Sequence, residues 1–145
     1  MLNKRTHTHT HTLAPKQQAP LRLFTSNVRG IVKHWDVIKQ INFDKYDILL
    51  FCEIWQIKNF ENLIIEDFKI ATVYQRENCR GGGVIIFIRS SIKYESVEAI
   101  VQDGIIESAA IKIKNTIIMI LYRPPEWKQT TVSRPINRLD RNKTW

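Results

Sequence analysis

The chain has 145 residues, of which 43% are hydrophobic and 10% aromatic, enough apolar material for one ordinary domain but too little for two. Its formal net charge of +8 suggests a nucleic-acid partner, while its two cysteines, Cys52 and Cys79, lack the spacing of a disulfide framework or a metal site. No apolar run reaches the roughly 18 residues of a membrane span, and none follows the amino terminus as in a signal peptide. We therefore expect no membrane contact and an intracellular location, nuclear or cytoplasmic.

The positive charge is concentrated at the two ends of the chain. Residues 1–20 carry a net charge of +3 and residues 127–145 carry +4, which leaves +1 for the region between residues 21 and 126. Charge runs in segments of low hydrophobicity are usually solvated, so the charge alone is weak evidence for a nucleic-acid groove. The sequence predicts a disordered leader (1–20), a folded domain (21–126) and a disordered basic tail (127–145).

A Thr-His repeat in the leader places His7, His9 and His11 at alternate positions. Three imidazoles can bind a transition metal loosely, but a CA dinucleotide repeat read in frame encodes the same string. We favour the second explanation, because nothing that flanks the repeat would hold the three ligands in a defined geometry.

The first half of the domain predicts a parallel βαβ unit. Residues 21–26 form the first predicted strand, and apolar residues between positions 31 and 41 then recur at spacings of four and three, as in an amphipathic helix. The nearly continuous apolar run 46–52 is typical of a strand buried on both faces. Such a unit is expected to have a right-handed crossover, with both strands in one sheet.

The second half predicts mainly strands. Residues 60–67 can form one or two helical turns, and Lys114 and Asn115 predict a tight turn. Strands are predicted at residues 68–74, 84–88, 94–100, 105–113 and 116–122. The predicted fold class is therefore α/β, with a domain rich in sheet that ends near Pro124 and Pro125.

Polar residues follow both strands of the βαβ unit. Asn27 comes directly after the first strand and Glu53 directly after the second. Side chains beyond the carboxyl ends of parallel strands gather at one edge of the sheet, and Mg²⁺ prefers the oxygen ligands that these two residues offer. A solvated strand-end glutamate beside a turn asparagine is an equally good explanation of the residues alone.

Two later features of the sequence are most simply explained by a structural role. The three glycines 81–83 match neither the Walker nor the dinucleotide fingerprint, and they predict a tight hairpin. Tyr122 ends an apolar strand and is followed by Arg123 and two prolines, which cannot continue strand pairing. A phenol and a guanidinium fixed at a strand end can address a phosphate, although such residues are more often structural.

Five short motifs follow one another in a distinctive order. They are Ser-Asn27-Val-Arg-Gly, Asp-Ile-Leu-Leu-Phe-Cys-Glu53, Arg80-Gly-Gly-Gly-Val, Ile-Glu107-Ser and Leu-Tyr122-Arg-Pro-Pro. The series resembles the N-terminal half of the endonuclease domain of non-LTR retrotransposons, in the endonuclease/exonuclease/phosphatase superfamily. The resemblance covers residues 21–126, and the Tyr-Arg-Pro-Pro ending points to the retroelement branch.

The resemblance implies half of a four-layer, DNase I-like α/β sandwich from an enzyme that uses Mg²⁺ to nick DNA, leaving an end from which a reverse transcriptase can prime. Glu53 matches the family's metal-binding glutamate, and Asn27 matches the asparagine that organises metal and phosphate. Tyr122 matches the tyrosine that contacts the scissile phosphate. Arg80 and the glycines after it match a structural hairpin without a catalytic role.

The chain departs from the family pattern after Pro125. The Asp-x-Asn and Ser-Asp-His motifs that complete the family's site are absent; Asp140 stands in an Asp-Arg-Asn string without the preceding apolar strand, and His34 lies in the predicted helix. We therefore expect a truncated, inactive domain with weak or no Mg²⁺ binding, an uncovered inner sheet face and no stable protein partner. One alternative is a non-catalytic, sequence-independent nucleic-acid-binding protein. Another is an enzyme of the superfamily that acts on phospholipids or inositol phosphates, but the Tyr-Arg-Pro-Pro motif argues against it.

Overall fold

The computed structural model describes residues 19–77, 81–102 and 105–124. The elements are β1 (Leu23–Asn27), α1 (Trp35–Ile38), β2 (Ile48–Cys52), a 3₁₀ turn (Phe60–Asn62), β3 (Phe68–Tyr74), β4 (Val84–Arg89), β5 (Glu95–Val97), β6 (Glu107–Ile113) and β7 (Thr116–Tyr122). The predictions for the Thr-His repeat, Cys79, Arg80 and the tail with Asp140 lie outside the described residues.

The strands form two sheets. Sheet A has four strands in the order β1-β2-β4-β3, with β1 parallel to β2 and the other two pairs antiparallel. The predicted parallel pairing of the first two strands is therefore confirmed. Sheet B has three antiparallel strands in the order β5-β6-β7. The tight turn predicted at Lys114 and Asn115 is confirmed; it joins β6 to β7, and the φ of Lys114 is 53°.

The predicted α/β fold class is wrong. The described residues form mostly β-structure in two small sheets, and α1, with four residues, is their one α-helix. No four-layer α/β sandwich is present in the part of the chain that the structure describes. In that same part, no helix has the length and apolar character needed to cross a membrane.

The helix predicted over residues 31–41 is reduced to α1 for local reasons. Ile31 and Ile38 are buried, as the apolar stripe requires, but Ile41 at its end is 39% exposed, so the stripe is buried over only part of its length. Their branched side chains disfavour helix, and no side-chain hydrogen bond caps the amino terminus of α1. A turn that buries Ile31 and Ile38 on the same side of the chain gives the same spacing of apolar residues without a long helix.

Sheet A is covered on both faces. On one face it packs against sheet B through a cluster of Ile48, Leu50, Val84, Ile86, Ile88, Ala109, Ile111, Ile113, Ile118 and Ile120. On the other face lies a second cluster of Ile31, Ile38, Phe43, Leu49, Phe51, Ile54, Ile57, Leu63, Ile85 and Phe87. The prediction that β2 and β4 are buried on two faces is confirmed, and the expectation of an uncovered inner face is wrong because sheet B covers it.

One row of exposed apolar side chains lies on the outer face of β7. Ile117, Met119 and Leu121 alternate along this strand and are 58%, 38% and 56% exposed. Within the described residues β7 is also an edge strand of sheet B. This face is therefore prone to association with other apolar surfaces.

Candidate functional site

The ends of β1 and β2 bring Asn27 and Glu53 to one edge of sheet A. Asn27 is the last residue of β1 and is aligned with Cys52, the last residue of β2. The backbone N–H of Val28 donates to the Cys52 carbonyl at 3.0 Å, and that of Gly30 donates to the Glu53 carbonyl at 2.7 Å. The neighbouring placement that the sequence predicts for Asn27 and Glu53 is confirmed.

The Glu53 side chain meets Tyr122, which lies 69 residues further along the chain. Tyr122 is the last residue of β7, and its hydroxyl donates a hydrogen bond to Glu53 Oε1. Because β7 belongs to sheet B and Glu53 follows a strand of sheet A, the contact joins the two sheets at this edge. All three residues selected from the sequence thus lie at or beside the same edge.

Trp55 provides a second hydrogen bond to the Glu53 carboxylate. Its indole Nε1 donates to Glu53 Oε2 at 2.7 Å, while its backbone N–H donates to the Gly82 carbonyl at 2.8 Å. The ring lies so close to Gly30 that a Cβ there would be 2.8 Å from Trp55 Cε3. The sequence analysis did not select Trp55, because a contact between residues two positions apart in a loop leaves no periodic pattern.

Three non-glycine residues at this edge have left-handed backbone conformations. The φ angles are 44° at Arg29, 57° at Glu53 and 62° at Trp55. Such a conformation costs roughly 1–2 kcal/mol for an L-residue, and strained residues of this kind cluster at functional sites. The backbone on either side of the Glu53 α-carbon is held in place, since its own carbonyl accepts from Gly30 and the next N–H donates to the Gly83 carbonyl at 3.3 Å.

A buried ion pair supports the glycine loop beside the site. The carboxylate of Glu107 is fully buried, forms an ion pair with Arg76 and accepts from the backbone N–H of Gly83 at 2.5 Å. A Cβ at Gly82 would be 2.7 Å from both oxygens of this carboxylate. The tight hairpin predicted at residues 81–83 stays a prediction, because residues 78–80 of the loop lie outside the described residues. The sequence marked Glu107 as part of a motif but gave no sign that Arg76 is its partner.

The thiol of Cys52 is not a candidate nucleophile. Burial raises its pKa above the ordinary value for a cysteine, and the adjacent Glu53 carboxylate raises it further. The thiol is therefore protonated at neutral pH and reacts slowly, because the thiolate is the reactive form. Its Sγ donates to the carbonyl of Ser26 at 3.8 Å.

The edge offers few ligands to a cation. Glu53 supplies a carboxylate and Asn27 a carboxamide oxygen, which also accepts from the Arg29 backbone N–H at 3.2 Å. Among the described residues, no group of three or more His, Cys, Asp or Glu side chains could hold a metal ion. Mg²⁺ keeps several waters and often uses one or two carboxylates together with substrate phosphates. The residues present therefore fit a weakly held hydrated ion and do not form a closed site.

Two connected grooves adjoin the site on the Trp55 side. The first, of about 380 Å³, is lined by Gly30, Val32, Lys33, Ile54, Trp55 and Gln56. The second, of about 500 Å³, shares Val32 and Gln56 with the first and is lined in addition by Trp35, Asp36, Lys58, Asn59, Asn62 and Leu63. Asp36 forms an ion pair with Lys39 at 3.0 Å. The remaining charged residues of the two linings are Lys33 and Lys58, so the grooves carry positive charge.

No known protein family has a model that matches the chain, and no curated protein is significantly similar to it. The features of the chain that bear on its function are therefore the geometry of the site and the order of the motifs.

Proposed function

We propose that the chain carries part of a Mg²⁺-dependent site for cleaving DNA phosphodiesters, of the retrotransposon endonuclease type. Glu53 would hold the hydrated ion, Asn27 would orient the ion and the phosphate, and Tyr122 would contact the scissile phosphate. The observation that carries the proposal is the hydrogen bond from Tyr122 to Glu53 beside Asn27. Three residues from distant motifs meet at one edge, and each offers the chemistry that its proposed role requires.

The chemistry of each side chain supports its role. A bound Mg²⁺ supplies positive charge that polarises a phosphoryl oxygen. The hydroxyl of Tyr122 and the carboxamide N–H₂ of Asn27 are donors that can bond to the other phosphate oxygens. The backbone positions of these residues are well defined, because Asn27 and Tyr122 end strands and the Glu53 backbone is held on both sides.

The grooves favour a polymeric substrate over a small phosphate ester. They extend from Trp55 past Lys33 to Lys58, on the same side of the candidate site. Cationic side chains beside a groove neutralise backbone phosphates of a nucleic-acid strand, and exposed amide and aromatic groups can contact its bases. A nucleic-acid strand that runs along the grooves would reach Glu53 at one end.

We expect the chain on its own to nick DNA at no useful rate. General acid and base groups contribute about 10²- to 10⁴-fold to a rate, and a preorganised charge-stabilising donor contributes roughly another 10²- to 10³-fold. The 145 residues contain neither an Asp-x-Asn motif on an apolar strand nor a Ser-Asp-His motif. Groups of one site act as a unit, so the three residues present do not preserve a proportionate share of activity.

Two measurements test the proposal together. In a supercoiled-plasmid assay with Mg²⁺, the wild-type chain should nick no faster than Glu53→Ala, which reports contaminating nuclease. In a binding assay at constant ionic strength, Mg²⁺ should tighten the complex with a short DNA duplex, and Glu53→Ala should lose this gain. Glu95→Ala, at an exposed carboxylate on β5, is the matched control and should keep it. A gain that persists in Glu53→Ala would refute the proposed site, and robust nicking that disappears in Glu53→Ala would refute the inactivity.

The basic ends of the chain favour a second candidate function, sequence-independent binding of nucleic acid without catalysis. Net charges of +3 and +4 in residues 1–20 and 127–145 are the observation behind it. Binding of this kind releases counterions, so its affinity falls steeply with salt. In the same assay it would give a complex that Mg²⁺ does not tighten and that Glu53→Ala does not weaken.

A further inference from the structure

We infer that Trp55 positions the Glu53 carboxylate, and that a bound cation displaces Tyr122 from this carboxylate but leaves Trp55 in place. The two residues would thus have opposite effects on cation binding: Trp55 supports it and Tyr122 competes with it. This inference rests on the proposed function, because it concerns the cation site at Glu53.

The contacts of Trp55 make it the fixed donor. It is two residues from Glu53, and its Nε1 donates to Oε2 at 2.7 Å. Its backbone N–H is bound to the Gly82 carbonyl, its ring lies against the α-carbon of Gly30, and the preceding residue, Ile54, is fully buried. The backbone hydrogen bond and the buried neighbour hold the main chain of Trp55, and the contact of the ring with Gly30 restricts rotation of the indole away from the carboxylate.

The contacts of Tyr122 make it the exchangeable donor. It comes from the other sheet, lies at the very end of β7 and is half-buried. The following residues, Arg123 and Pro124, lie outside the strand and do not extend the pairing. Rotation about the side-chain bonds of Tyr122 moves its hydroxyl away from Glu53 Oε1 without a change in the backbone of β7.

The chemistry of a carboxylate explains why one donor helps a cation and the other competes with it. Hydrogen bonds from a fixed neighbour orient a metal-binding carboxylate, and the loss of such a neighbour typically costs about 10- to 100-fold in metal affinity. The hydroxyl proton of Tyr122 occupies Oε1, the oxygen that Trp55 leaves available to a cation. Displacement by a cation also frees the hydroxyl to donate to a phosphate oxygen, so cation binding prepares the phosphate contact.

The test follows the indole N–H signals of the ¹⁵N-labelled full chain during a titration with Mg²⁺ in the absence of DNA. The signal of Trp55, identified by its loss in Trp55→Phe, should shift until saturation in the wild type. Tyr122→Phe should bind Mg²⁺ several-fold more tightly, because it lacks the competing proton. Trp55→Phe, followed through backbone amide signals near Glu53, should bind about 10- to 100-fold more weakly. Tyr94→Phe is the matched control for Tyr122→Phe and should bind as the wild type does, since the hydroxyl of Tyr94 donates to the backbone carbonyl of Ala71 and not to Glu53.

The outcomes separate this inference from the proposed function. A Mg²⁺ titration that is unchanged in Glu53→Ala would place the cation elsewhere and overturn both. A titration that Glu53→Ala abolishes, but that Tyr122→Phe weakens or leaves unchanged, would overturn the inference alone. Unchanged affinity in a folded Trp55→Phe would overturn it as well. If Trp55→Phe fails to fold, the Tyr122→Phe titration still decides whether the hydroxyl competes with the cation.

Discussion

Replacement of Glu107 by Ala is expected to lower the free energy of unfolding by about 3–5 kcal/mol, the usual cost of removing one partner from a buried ion pair. The Glu107 side chain is fully buried and the side chain of its partner, Arg76, is 19% exposed, so water cannot replace the lost carboxylate efficiently. The substitution also removes the acceptor of the Gly83 backbone N–H, which is buried. Urea denaturation of wild type and variant measures the difference.

Two variants separate charge from hydrogen bonding in this experiment. Glu107→Gln keeps an oxygen acceptor for Gly83 but loses the charge, so it should cost less than Glu107→Ala. Glu95→Ala removes the carboxylate of another Glu–cation pair, in which the side chains are 71% and 40% exposed. Exposed pairs contribute about 0–1 kcal/mol, so this control should stay within that range. An equal loss of unfolding free energy in Glu95→Ala and Glu107→Ala would show that the buried pair at Glu107 stabilises the fold no more than an exposed pair does.

Sequence periodicity predicted the strands well where burial on two faces makes it strong. The apolar runs of β2 and β4 are buried because sheet B covers one face of sheet A and the second buried cluster, which includes Ile31, Phe43 and Leu63, covers the other. The parallel pairing of β1 with β2 also followed from the sequence. Helix content did not, because Ile31 and Ile38 are anchors of a turn as readily as of a helix. Spacings of three and four fix which residues share a side and not how many of them are helical.

The candidate site could be predicted only as far as its residues end strands or belong to motifs. Asn27 and Glu53 follow adjacent parallel strands, so their proximity is a matter of backbone geometry. Tyr122 reaches them through the packing of sheet B on sheet A, which no local pattern in the sequence encodes. Trp55 and Arg76 were missed for a related reason. The contacts of both depend on the path of the glycine loop at residues 81–83, and the sequence does not specify that path.

Gly83→Ala should destabilise the protein by roughly 2–5 kcal/mol and also disturb the Glu53 carboxylate. Gly83 has a φ of +84°, which costs about 1–2 kcal/mol for an L-residue. Its added Cβ would lie 2.7 Å from Ile54 Cγ1 and 3.1 Å from the backbone oxygen of Tyr74, and overpacking of this kind costs typically about 1–3 kcal/mol. Thermal or urea unfolding measures the loss.

The matched control is Gly81→Ala, in the same loop. A Cβ at Gly81 meets nothing within 4 Å, and Gly81 is not among the residues with positive φ. An exchange of Gly for Ala at such a position is expected to change stability little or to raise it by about 0.4–1 kcal/mol, because the unfolded chain loses freedom. The Gly83 variant should differ from this control in a second way. Ile54 follows Glu53 directly, so pressure on its side chain should shift the indole N–H signal of Trp55, whereas Gly81→Ala should leave that signal unchanged. Equal stability and equal indole signals in the two variants would mean that the glycine loop does not determine the position of the Glu53 carboxylate.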